Sequence, residues 1–224
     1  MINQAFNSAT DFIYIKNGQI EQNSFCTPFV AGTRSNTQAI VDLTGNNTLT
    51  ANSLTYASDN TFSFNGSNDK LTLNTNTIIS GTSDYTIDAA FKTSAAGTDF
   101  IFGNYGVASG ASGGLEYYVY QSKLNNYIAG NTQSATTLNL NQWYIASVTR
   151  SGSTITHYLN GIADGSGTNA ASISATNPFT IGNGHDYTSE AFGGTIGAIK
   201  VYNRALSAAE VAQNFQALRG RYGI

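Results

Sequence analysis

Apolar and polar positions alternate in short runs along most of the chain. Examples are TFSFNG (61–66), KLTLNT (70–75), YTIDAAFKT (85–93), LEYYVYQ (115–121) and WYIASVTR (143–150). Successive side chains of a strand point to opposite faces, so a period of two marks strands with one face buried. Shorter runs at 38–43, 99–104, 125–130, 154–161, 179–183 and 196–203 continue the pattern, with turns rich in Gly, Asn and Ser between them. Strands at this spacing with no helices between them predict an all-β antiparallel sandwich. Residues 141–165 are the clearest part. One strand turns at Ser151-Gly152-Ser153, the next turns at Asn160-Gly161, and a third follows, which predicts a meander. Asn17-Gly18 between two alternating runs predicts a short hairpin, and the irregular, Pro28-containing stretch 25–37 follows it. The expected organisation is an N-terminal arm over 1–34, serving as an attachment element, and one β domain over 35–224. Stretches 103–114 and 164–177 are expected to be the longest loops.

The pattern changes once, at the C-terminus. Ser207 with Glu210 three residues on forms a capping box, and Leu206 with Val211 forms a hydrophobic staple. Val211, Phe215 and Leu218 then fall on one helical face. Arg219 and Arg221 suit the negative end of the helix dipole, and Gly220 is the expected stop. The apolar stripe is narrow, so this helix is expected to lie on the sandwich as a surface cap.

Composition narrows the function. Charged residues are 10% of the 224-residue chain, against about 25% in typical globular proteins. The surface is therefore dressed in hydroxyls and amides. A net charge of −3 with no Lys/Arg cluster disfavours nucleic acid and anionic membrane surfaces as partners. No apolar run is long enough to span a bilayer. The first residues lack the basic start and apolar stretch of a signal peptide, which sets an expectation of synthesis without export against a surface suited to the outside. Cys26 is the single cysteine, so no intrachain disulfide or cysteine zinc site is expected, and its expected role is packing.

Catalytic chemistry finds little material. Glycoside hydrolysis needs two carboxylates about 5 to 9.5 Å apart. The chain has four glutamates, Glu21, Glu116, Glu190 and Glu210, the last occupied in the helix cap. Glu116 has no carboxylate two or four residues away. His157 and His185 belong to no triad motif, and no G-x-S-x-G elbow occurs. The expectation is a protein without enzymatic activity. FNGSNDKL (64–71) gathers Asn65, Asn68 and Asp69 in one turn, oxygen ligands suited to calcium, although these are also ordinary turn formers. Asp186 and Glu190 form a second candidate of the same standing. No other cofactor is expected. Sugar binding has a better basis. If Leu115, Tyr117 and Val119 face the core, then Glu116, Tyr118 and Tyr120 share the opposite face, and the neighbouring Asn125, Asn126 and Tyr127 add amides and a ring. Trp143 is expected to be core.

FSFNGSNDKLTL, YTIDAAFKT, LNQWYIASVTRSGSTITHYLNG, FTIGN and above all GGTIGAIKVYNRALSAAEVAQNF together resemble the laminin-G-like, concanavalin A-like jelly-roll family over residues 38–218. The resemblance implies a two-sheet antiparallel jelly roll with one short C-terminal helix, often binding carbohydrate. Some members bind calcium through an Asp after the first long strand; here Asn65 stands at that place, Asp69 remains, and Ala198 stands where an acidic residue is common. Residues 29–47 and 203–224 are similar in wording to virion proteins of tailed phages, particularly marine ones. That similarity implies a capsid decoration, tail or fibre component, assembled in the host cytoplasm and exposed outside. Its expected partners are other virion proteins, copies of itself and a cell-surface glycan. The alternative is a carbohydrate-binding or adhesion module of a secreted bacterial protein.

Overall fold

The computed structural model describes residues 46–56, 61–106, 113–174, 176–184 and 190–224. The hairpin at Asn17-Gly18, Cys26, the strand at 38–43, the arm boundary at residue 34, His185 and Asp186 lie outside the described residues.

Fourteen strands and one helix follow in chain order among the described residues. They are β1 (Leu49–Asn52), β2 (Thr55–Tyr56), β3 (Phe62–Asn65), β4 (Lys70–Leu73), β5 (Tyr85–Thr93), β6 (Thr98–Gly103), β7 (Glu116–Tyr120) and β8 (Lys123–Tyr127). There follow β9 (Asn131–Gln133), β10 (Tyr144–Ser151), β11 (Thr154–Leu159), β12 (Ile162–Thr168), β13 (Thr180–Ile181), β14 (Gly193–Tyr202) and α1 (Ala208–Tyr222). The first sheet runs β1-β4-β13-β6-β7-β8-β9 and the second β12-β11-β10-β5-β14-β3-β2. Every named pairing is antiparallel. The fold is the expected two-sheet sandwich of jelly-roll type.

One continuous core lies between the sheets. The first sheet contributes Leu71, Phe102, Tyr117 and Leu124, and the second Phe64, Ile87, Phe91 and Val148. Phe192 meets Phe64 and Phe91 edge-on at 5.9 and 6.1 Å, while Phe102 stacks on Phe179 at 5.1 Å. The core also holds polar groups. Tyr85 donates its hydroxyl to Asn126 Oδ1 at 2.9 Å, and Thr132 Oγ1 lies 3.1 Å from His157 Nε2. Arg150 is fully buried and donates to the carbonyls of Gly152 and Ala171. Such groups are tolerated inside only when hydrogen-bonded.

The meander forms as expected, and Asn160 and Gly161 both adopt positive φ (50° and 80°), the requirement of a tight two-residue hairpin turn. The loop expected from residue 164 begins later, because Asp164–Thr168 continue β12 against β11. This stretch has no apolar alternation to reveal it. Its small residues suit a close approach instead: a side chain at Gly167 would come within 2.9 Å of Thr132.

The C-terminal helix carries its capping box, Ser207 Oγ accepting from Glu210 N and Glu210 receiving Ser207 N. Arg204 adds a two-point contact to the Glu210 carboxylate. The staple pair Leu206 and Val211 packs with Tyr158. The stop is Gly223 rather than Gly220. Gly223 takes the left-handed conformation (φ 70°) and its N–H bonds Arg219 O, whereas Gly220 stays helical. Leu218 and Tyr222 bury against Ala90 and Ile145 on the outer side of the second sheet. Trp143 joins this patch, 4.5 Å from the Tyr222 ring, and is thus covered by the helix rather than placed between the sheets. Ser207→Ala is expected to cost about 1 kcal/mol of stability, the usual value of an N-cap, read as a shift of the urea midpoint.

Candidate functional site

The site is built on β7, in the first sheet. Leu115, Tyr117 and Val119 are buried in the core as the alternation requires. Glu116, Tyr118 and Tyr120 therefore point to the other side. There, with Thr98, Tyr105, Tyr127 and Glu190, they line an open cavity of about 220 Å³. The register explains the set. Thr98 on β6 lies opposite Tyr120, and Tyr127 on β8 lies opposite Glu116. The Tyr118 and Tyr120 rings are 6.5 Å apart and tilted at 41°, and Tyr105 meets Tyr127 edge-on at 5.5 Å. Tyr105 is brought in by the turn after β6, where Asn104 N and Tyr105 N donate to Leu115 O and Asn104 Oδ1 accepts from Leu115 N. That turn needs glycine beside it, since a Cβ on Gly103 would sit 2.1 Å from Leu115 O.

Asn126 does not belong to this surface. It lies opposite Tyr117 in the register, so it shares Tyr117's inward face, is fully buried and is bound to Tyr85. Asn125 and Tyr127 occupy the outer face instead. The same period of two that selects Tyr118 and Tyr120 forbids consecutive residues of β8 from sharing a side. Asn125 itself is held within the sheet surface, accepting from Asn131 at 2.6 Å and Gln133 at 3.3 Å.

Glu190 is the group that local sequence spacing does not reveal. A bulge in β6 between Phe100 and Phe102 frees Phe100 N, which donates to Glu190 O at 3.0 Å and ties the segment before β14 beside β7. The two glutamates then share a hydrogen bond. Burial first, and then the Glu190 carboxylate, push the Glu116 carboxyl up to about 9, and burial raises Glu190 as well. A proton is accordingly held by the pair at neutral pH, shared between the two carboxyl groups. Burial and the two carboxyl groups also hold the Tyr118 phenol above its ordinary range, so it stays a neutral donor.

The calcium candidates fold into a turn. Asn65 Oδ1 accepts from the N–H groups of Ser67, Asn68 and Asp69, while Asp69 Oδ2 accepts from Asn65 N. Asn65 is thus occupied as a turn cap, and Asp69 Oδ1 is buried nearby without a donor among the described residues. No three His, Cys, Asp or Glu side chains converge on a metal position among the described residues. His157 is inside the core and remote in role from any catalytic set; burial lowers it to about 4, so it is neutral.

Comparison with known proteins agrees with this architecture. The isolated domain 4 of AbnA, a GH43 extracellular arabinanase from Geobacillus stearothermophilus solved in complex with arabinotriose, superposes with a TM-score of 0.59. It is 19% identical, over 77% of this chain and 90% of that one. A putative carbohydrate-binding protein from Bacteroides ovatus gives 0.56 at 16% identity, over 68% of this chain and 46% of that one. The binding domain of Paraclostridial Mosquitocidal Protein 1 gives 0.61 at 16% identity, over 78% and 48%. The chain thus spans just under half the length of the last two. At such identities the likeness is one of fold. No curated protein matches the sequence at a significant level. The sequence profile of Laminin_G_3 matches residues 64–212, which cover most of the two sheets and the start of the helix. The chain belongs to that family, of the Concanavalin A-like lectin/glucanases superfamily.

Proposed function

We propose that this jelly roll is a non-enzymatic, glycan-binding part of a phage virion, displayed on the capsid, tail or fibre. The observation that carries the binding half is the outward pocket in which four tyrosines surround a glutamate pair, Glu116 buried and Glu190 half-buried. Aromatic faces offer C–H contacts to sugar rings, and carboxyl and phenol groups offer hydrogen bonds to hydroxyls. The solved neighbours include a putative carbohydrate-binding protein and a domain holding arabinotriose, which support the same reading. The pair also speaks against hydrolysis. Glycosidases keep their two carboxyl groups about 5 to 9.5 Å apart to flank the bond, whereas Glu116 and Glu190 are bonded to each other. The wording of residues 29–47 and 203–224 and the sparsely charged, amide-rich composition support the virion half.

A glycan array with the wild type and the Tyr118→Ala and Tyr120→Ala variants tests the site. Binding should fall at least about tenfold in Tyr118→Ala, the more enclosed ring, and less in Tyr120→Ala. Unchanged binding in both would remove the pocket from the proposal. Mass spectrometry of purified particles tests the other half: the chain should be present in stoichiometric copy number, and its absence would overturn the virion assignment.

A further inference from the structure

We propose that the pocket of Tyr105, Tyr118, Tyr120 and Tyr127 binds an ammonium group, presented as the free amine of an amino sugar or as a quaternary ammonium substituent on a glycan. This rests on the pocket being the ligand site and names the chemistry it selects. Four phenol rings around one cavity are the arrangement that attracts organic cations, because each ring face carries negative electrostatic potential. Beneath them, Glu116 is only 5% exposed, and its carboxyl group shares a hydrogen bond with that of half-buried Glu190. The described lining contains no Lys, Arg or His to neutralise them. Two facing carboxyl groups are satisfied either by one shared proton or by a cation with N–H or polarised C–H groups. The first is what burial imposes on the empty pair; the second is what a ligand supplies. A neutral sugar satisfies only the rings and phenols, and an anionic one meets the residual negative charge.

Binding of a cation then expels the shared proton. Around the pair stand Tyr118 and Tyr120 on β7, Tyr127 on β8, Tyr105 from the flanking segment and uncharged Thr98 on β6, while Lys123, opposite Tyr120 on β8, lies outside the lining. Affinity for a fixed cation should therefore rise with pH up to about 9, where Glu116 gives up its proton unaided.

NMR titrations of the full chain with choline, glucosamine, N-acetylglucosamine and glucuronate test this. Choline or glucosamine should bind at least about tenfold more tightly than N-acetylglucosamine, and glucuronate least. Choline, whose charge does not titrate, should gain affinity from pH 5 to pH 9 and release up to one proton at pH 7 in a pH-stat. Preference for choline assigns a quaternary group, and preference for glucosamine an amino sugar. Glu190→Gln and Glu116→Gln should each remove the preference while the fold persists by circular dichroism. Equal binding of all four ligands, or a preference that survives both substitutions, overturns the inference. If N-acetylglucosamine or an array glycan still binds in a Tyr118-dependent way, the glycan reading stands without it. If no ligand depends on Tyr118, both fall.

Discussion

Glu116→Gln is expected to make the protein more stable at pH 8, by on the order of 2 to 4 kcal/mol, and to lose that advantage below about pH 4.5. The Glu116 carboxyl is raised in the folded state, from an ordinary 4.5 to about 9, by burial and by Glu190. A carboxyl raised in the native state favours folding fully below its unfolded value and ceases to do so as pH climbs through its folded value. Between these limits the unfolded chain releases a proton that the native one keeps, so stability falls as pH rises. Glutamine carries no such proton, and its amide N–H can replace the acid O–H toward Glu190. The measurement is urea unfolding of both proteins at several pH values. Parallel curves across pH 4 to 8 would refute a proton held by the glutamate pair. A natural sequence that retains so costly a carboxyl keeps it for something other than stability, which agrees with a binding role.

His157 should act from the other side. Burial depresses it from 6.5 to about 4, and its Nε2 is engaged with Thr132. A histidine lowered in the native state contributes stability above its unfolded value and loses it as pH falls toward its folded value. Between about pH 6.5 and 4 the wild type should lose on the order of 3 kcal/mol through this group. His157→Gln should flatten that part of the curve whatever its effect at pH 7, so the slope, not the absolute stability, is the readout. A slope equal to that of the wild type would exclude His157 as the acid-sensitive group. Through these two groups, stability falls above about pH 6.5 as the buried glutamate is opposed by alkali and below about pH 4.5 as the buried histidine is opposed by acid.

Local interactions explain what was legible beforehand. The period of two assigned Tyr117 and Val119 inward and Glu116, Tyr118 and Tyr120 outward, because pleat geometry depends on neighbours in sequence alone. The Asn160-Gly161 turn and the Ser207–Glu210 capping box were legible for the same reason, each being closed within a few residues. The alternation also assigns Asn126 inward once β8 is taken as a strand, so proximity to Asn125 and Tyr127 in the chain does not put it on their face. Strand β12, by contrast, has glycines and polar residues where the pattern wants apolar ones, and is a strand only because β11 and β9 lie beside it.

What the sequence by itself determined is therefore the sandwich, its closing helix and the outward tyrosine face, since these follow from alternation, turn chemistry and caps. Only the tertiary structure decided that Glu190 meets Glu116, that Tyr105 joins the phenols, and that Asn65 spends its side chain on its own turn. The Glu116–Glu190 meeting depends on a bulge in β6 and a hydrogen bond between Phe100 and Glu190, partners distant in sequence. A carboxyl group changes from an ordinary surface acid into a proton-holding member of a pair only when burial and a second carboxylate coincide, and no spacing of residues along the chain encodes that coincidence.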